Sequence, residues 1–195
     1  MKKLTTSDLL SLEEYDKSRE EIKKNLLLHK KNRSVKIGDH VLLLFEDYET
    51  IKYQVQEMLR IEKIFKEKDI QEEIDAYESL IPDGNNLKAT MLIMYTDVNQ
   101  RKIMLNKLCD LENSVWLSIN NSEKVFAISD EDLERSRDEK TSAAHFLRFQ
   151  LSDIDKNYKK NFYADNLSIG IDHKEYNYKT ELQRDTASCL AKDLD

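Results

Sequence analysis

Proline occurs once in the 195-residue chain, at Pro82, and glycine three times, at Gly38, Gly84 and Gly170. No Ser/Gly/Pro-rich stretch separates two apolar blocks, so the economical reading is a single domain over 1–195. A chain of this size can bury roughly 70% of its unfolded surface. Two cysteines, Cys109 and Cys189, exclude a disulfide framework and a metal knuckle. Each adjoins a leucine in an expected helix and reads as a partly buried free thiol. The longest wholly apolar run, VLLLF at 41–45, is too short to span a bilayer. MKKLTTSDLLSLEEY, at the start, has no continuous apolar segment of the kind that directs export, so a cytoplasmic location without membrane insertion is expected. HxxxH, HExxH and CxxC are absent, as are a Gly-rich phosphate loop and a GxSxG elbow, and with them the usual signatures of nucleotide binding and serine hydrolysis.

Charge is plentiful. Charged residues make up 35% and hydrophobic ones 39%, and the latter are gathered into blocks, which argues for a core and against disorder. A net charge of -7 opposes nonspecific binding to nucleic acid or an anionic membrane. The run Lys23, Lys24, His29, Lys30, Lys31, Arg33 and Lys36 reads as a basic helix end followed by a solvated loop, or else as a local RNA-binding patch.

Ser11 and Glu14 fit a capping box that opens a charged helix with apolar Leu12, Tyr15, Ile22 and Leu26, interrupted at Arg19. Strand signals follow in SVKIGDHVLLLFED, with Gly38 and Asp39 at a turn. The next segment reads as helix to about Glu67, resuming from Ile70 to Leu80 and ended by Pro82. Ile51, Val55, Met58 and Phe65 form its apolar line, with Tyr53, Ile61 and Ile64 beside it. LKATMLIMYTD reads as a central strand covered on both faces, and SVWLSI with KVFAIS as a hairpin. AAHFLRFQLS and LSIGID supply further strands, DIDKNYKKNFYAD a connecting helix or loop, and ELQRDTASCLAKDLD a closing helix. The expectation is an α+β fold with a mainly antiparallel sheet of about six strands packed against four or five helices.

Several polar residues sit in apolar company. His145 alternates onto the face of Ala143, Leu147, Phe149 and Leu151, with Arg148 on the other face. It is either a satisfied structural histidine or a ligand. Glu57 and Glu62 lie off the wet line of their helix. A buried carboxylate needs a donor, for which Arg148, His145 or His173 are natural partners; the other reading is acid-base or metal chemistry. Catalytic candidates are therefore Glu57, Glu62, His145, Arg148 and His173. The metal candidates Glu57, Glu62, His145 and His173 would give the mixed N/O set of Zn, Mn or nonhaem Fe. The outer line Lys52, Gln56, Arg60 and Lys63 is the candidate partner surface.

LFEDYETIKYQVQEMLRIEKI, LIPDGNNLKATMLI, VFAISDEDLERSRDEKTSAAHFLRFQL and GIDHKEY, in this order, resemble an uncharacterised bacterial family catalogued as domain of unknown function 3501. By that resemblance the positions of interest are Glu46, Gln54, Gln56, Glu57, Arg60, Glu62, Asp83, Lys140, His145, Arg148, Asp172 and His173. The family's described neighbourhood, beside rubrerythrin-like or iron-sulfur redox proteins, implies a cytoplasmic redox protein as partner. Two functional classes follow: a noncatalytic accessory or small-ligand-binding protein linked to a redox system, or a metal-dependent enzyme or metal-binding protein. RNA binding is a third.

Overall fold

Helix starts follow their capping side chains. Ser11 opens α1 (Leu12–Lys31): its hydroxyl accepts from the Glu14 amide at 3.3 Å while the Glu14 carboxylate accepts from the Ser11 amide at 3.2 Å. This reciprocal pair satisfies two amides that the helix leaves free. Asp47 and Thr50 do the same for α2 (Tyr48–Glu62). α2 ends at Glu62 rather than near Glu67 because Lys63 turns left-handed, φ 56°, and its amide donates to Leu59. α3 (Glu67–Glu78) and α4 (Val98–Lys107) follow. The computed structural model describes residues 2–120, 123–131, 135, 140–151, 162 and 166–195. Most of DIDKNYKKNFYAD lies outside these.

The fold is α+β, but its strands form two antiparallel sheets rather than one sheet of about six strands. The strands are β1 (Ser34–Ile37), β2 (Val41–Glu46), β3 (Asn86–Ile93), β4 (Val115–Ile119), β5 (Val125–Phe126), β6 (Ile128–Ser129), β7 (Ala144–Gln150), β8 (Leu167–His173) and β9 (Tyr176–Glu181). One sheet has the order β1-β2-β3-β7-β6 and the other β5-β4-β8-β9. KVFAIS splits between them: β5 pairs with β4, whereas β6 pairs with β7. Ala127, whose amide donates to Val115, is the pivot. The polar segment YNYKTE is the edge strand β9, where Tyr176 alone is buried. An edge strand with one inward side chain leaves little hydrophobic pattern to read.

Inward residues of both sheets share one core, among them Leu43, Phe45, Met91, Leu147 and Phe149 from the first and Leu117, Ile169 and Ile171 from the second. α4 and α5 (Arg184–Leu190) close it with Leu105 and Leu190. β3 is central in its sheet, yet its outward residues Lys88, Thr90 and Leu92 are only half-buried. The lone tryptophan, Trp116, lies against Gly170, where an added Cβ would come within 2.4 Å of its ring. Its Nε1 donates to Asp172 at 2.8 Å, and Lys124 sits 4.3 Å from the ring centre.

α1, α2 and α3 enclose a separate, smaller core of Leu4, Ile51, Val55, Leu59 and Ile74. The buried line of α2 therefore runs through Leu59, and Phe65, expected on it, is 74% exposed beyond the left-handed Lys63. Arg19 does interrupt the α1 stripe, because its guanidinium turns towards Glu57 of α2. Arg33, expected in a solvated loop, is 2% exposed. It donates to the carbonyls of Phe45 and Glu46 at 3.0 and 3.1 Å, pairs with Asp193, and reaches Asp47 at 3.3 Å. Burial pushes Asp193 up to about 6 against the pull of Arg33. Neither cysteine forms a disulfide, and both are half-buried. Among the described residues no helix is long and apolar enough to cross a membrane.

Candidate metal centre

The β7 period places His145 inward with Leu147 and Phe149, and it is fully buried. Its ring is gripped from two directions. On one side Nδ1 lies 2.6 Å from Asp130 Oδ2. Asp130 follows β6 in the left-handed region, φ 48°, a conformation that Asp tolerates better than most residues. Its amide donates to Phe146 at 2.8 Å, and its second carboxylate oxygen accepts from the Phe146 amide at 3.0 Å and from Arg135 at 3.2 Å. Both oxygens are thus engaged, and the carboxylate is held against the ring.

On the other side Nε2 faces oxygen atoms only: Thr141 Oγ1 at 2.8 Å, the Ser142 carbonyl at 3.1 Å and Glu112 Oε2 at 3.8 Å. Glu112, 3% exposed, comes from a short 3-10 turn at Leu111–Ser114, and Thr141 donates to it at 3.2 Å. The Thr141 amide donates to Leu105, which ties this strand entrance to the end of α4. One ligand atom each from Glu112, Asp130 and His145 lie within 4.8 Å of one another, and no other such group of three occurs among the described residues. An imidazole nitrogen with carboxylate, carbonyl and hydroxyl oxygens around it has the donor set to share a cation with them, the Thr141 hydroxyl being its one alternative proton donor there among the described residues. With a carboxylate behind Nδ1, the arrangement matches the outer-shell support of metal-bound histidines.

Of the residues expected from the sequence, the centre takes His145 alone. Glu57 accepts from Arg19 at 2.7 and 2.9 Å, from Tyr15 at 2.6 Å and from Arg60 at 3.4 Å. The Arg19 hydrogen bond holds its carboxyl down at about 2 despite burial. Its donor is thus the residue that breaks the α1 stripe, not Arg148, His145 or His173. Glu62 is exposed, contrary to an inward placement, because it stands at the end of α2. His173 is satisfied locally: Nε2 meets the Cys109 carbonyl at 3.1 Å and Nδ1 accepts from the Glu175 amide at 3.2 Å. Arg148 is bound by Glu131 through Nε and Nη2, both at 2.7 Å. The strip Lys52, Gln56, Arg60 and Lys63 is not one open face. Gln56 is 3% exposed and clasps the Leu10 backbone through both amide atoms, Lys52 and Arg60 are half-buried, and only Lys63 is exposed. Of the family-like positions, Glu46 accepts from Thr90 at 2.7 Å, Asp83 from the Asn85 amide at 2.9 Å, and Asp172 from Trp116; Gln54 and Lys140 are exposed.

Glu112 and Asp130 were missed. Glu112 lies in CDLENS, where it reads as one more polar residue after a helix, and Asp130 in the acidic run ISDEDLE, where nothing distinguishes it from its neighbours. The available signal was the need for partners around an inward His145.

A crystal structure from Burkholderia pseudomallei K96243, described as a novel protein of unknown function, is 48% identical and superposes with a TM-score of 0.92 over 100% of both chains. No curated protein matches the chain. The model of the DUF3501 family, proteins of unknown function, matches residues 3–194, and the chain belongs to that family.

Proposed function

We propose that this is a metal-binding protein in which His145 Nε2 and Glu112 hold a divalent ion, assisted by the Thr141 hydroxyl and the Ser142 carbonyl and oriented by Asp130. The observation that carries the reading is the all-oxygen surround of Nε2, with Asp130 fastened to Nδ1. One imidazole among oxygen donors suits Mn or Fe better than a thiolate-rich zinc site, while Zn remains compatible with the set. The burial of His145 and Glu112 favours an ion that braces β7 against α4 over one that turns over substrate, which supports a noncatalytic accessory role. The link to a cytoplasmic redox partner is supported by the family's described neighbourhood.

Elemental analysis after gentle purification tests this. Stoichiometric Mn, Fe or Zn is expected, lost in His145→Ala and Glu112→Gln, with affinity lowered roughly 10–100-fold in Asp130→Asn. A folded wild-type chain that takes up none of these ions on titration would leave Glu112, Asp130 and His145 as a buried hydrogen-bonded cluster and end the proposal.

A second reading, small-ligand binding, is favoured by one observation. A cavity of about 390 Å³ opens between α1 and α2, walled by Leu10, Tyr15, Ile22, Leu26 and Tyr53. That volume lies in the range of small-molecule sites. An apolar fluorophore that binds wild type and the Leu26→Trp variant equally would count against it.

A further inference from the structure

A second concave region lies on the outer face of the five-stranded sheet, beneath the end of α3, on the side of β7 opposite His145. The register sets Glu46, Lys88 and Arg148 side by side across β2, β3 and β7. Lys88 lines both a small recess of about 130 Å³ and an open cleft of about 600 Å³, which also share Ser79, Glu131 and Arg148. Leu80 and Phe146 supply an apolar wall.

The neighbours of Lys88 are spoken for. Glu46 accepts from Thr90, and Glu131 is taken by the two nitrogens of Arg148. Among the described residues, none lies within hydrogen-bond or ion-pair distance of the Lys88 amine, although the side chain is half-buried. An amine desolvated without a counter-ion loses part of the advantage of being charged. Burial accordingly pushes it down, with Arg148 acting in the same direction and Glu131 and Asp83 opposing.

We propose that Lys88 is a reactive amine that condenses with small neutral aldehydes in this cleft. The unprotonated Nζ would donate its lone pair to the carbonyl carbon, and the C=O π pair would pass to oxygen, which takes a proton from water. The nitrogen, cationic after the attack, returns a proton to solvent, and loss of that hydroxyl as water, with a second proton from solvent, leaves a protonated imine on Nζ. Protonated lysine and aldehyde thus give iminium and water, and no oxidant or reductant is consumed. Rim carboxylates decide the class: Asp75, Glu78 and Asp83 line the cleft and Arg148 is already neutralised by Glu131, so an anionic carbonyl compound meets net repulsion. The Leu80 and Phe146 wall suits a short alkyl tail.

Limiting propionaldehyde with cyanoborohydride at pH 7.5, followed by peptide mapping, reads the proposal directly. Hydride from the reagent reduces the imine to a stable secondary amine. Lys88 should be alkylated about tenfold faster than Lys3 and Lys68, 82% and 85% exposed, because its desolvated amine gives up its proton more readily than theirs. The Lys88→Arg variant should keep the fold and lose that fast-labelled peptide while the other lysines are unchanged. Labelling of Lys88 no faster than Lys3 would overturn the proposal and leave Lys88 as a cation serving the end of α3. Protection of Lys88 by inorganic phosphate at matched ionic strength would overturn it in favour of an anion site.

Discussion

Among the described residues, the cluster between the two sheets holds 29 buried apolar side chains and the cluster inside α1–α3 holds five. What makes up the shortfall between the helices is polar. Tyr15, Arg19 and Arg60 converge on Glu57, and Gln56 clasps the backbone at Leu10. Such ties are directional, and those to Glu57 depend on ionisation, whereas burial of apolar area does not. The helical layer is thus held in part by bonds that pH can remove, and the sheets mainly by packing that it cannot. One charged joint binds the two: Arg33, at the foot of β1, grips β2 carbonyls, the Asp47 cap of α2 and Asp193 near the end of the chain.

Removing that joint should have the largest effect. Arg33→Met leaves two carboxylates facing a buried space and should cost about 3–5 kcal/mol in a denaturant titration at pH 8. Asp193 has a pKa raised by burial, so its neutral form suits the fold; the stability it contributes is complete below its ordinary value of 3.8 and lost as pH rises through about 6. The Arg33→Met penalty should therefore shrink at pH 5. An equal penalty at both values would show that Asp193 is not the stranded charge.

Core truncations sharpen the contrast. Leu43→Ala, between the sheets, should cost about 3–5 kcal/mol, and Leu59→Ala, in the helical cluster where Leu59 lines an open cleft with Leu9, Leu12 and Ile64, about 2 kcal/mol because that site can rearrange. Comparable costs would mean that the helical core is as rigidly packed as the larger one. Tyr15→Phe removes a hydrogen bond to a carboxylate and should cost about 1–3 kcal/mol while leaving sheet amides protected from exchange.

Acid provides the subtlest test. The pKa of Glu57 is depressed, so its contribution is present above 4.5 and lost as pH falls towards about 2. Amide exchange in α1 and α2 should accelerate through that window before exchange in the sheets does, and Glu57→Gln should abolish the pH dependence. Simultaneous loosening of both regions would remove the distinction drawn between them.

How much of this was legible depended on whether a residue's role is local. The capping box at Ser11, the Gly38 turn and the central position of β3 follow from spacing alone, and all are present; spacing puts one of His145 and Arg148 near the core, and it is His145. The α2 line shifted to Leu59 because periodicity cannot foresee that Lys63 ends the helix and turns Phe65 away. Glu57 was correctly seen to need a donor, but the choice of Arg19 depends on how α1 crosses α2. Two sheets looked like one because β5 and β6 are two residues each, and a single pivot between them leaves no trace in composition. Glu112 and Asp130 became visible only when separate turns met around one imidazole.

Trp116 on Gly170 has a practical consequence. As the chain's lone tryptophan it makes intrinsic fluorescence a reporter of the four-stranded sheet alone, blind to the helical layer. Its emission should stay native while far-ultraviolet ellipticity already falls as pH drops from 4.5 towards about 2. A single optical cell can therefore follow the two regions separately, with no label attached.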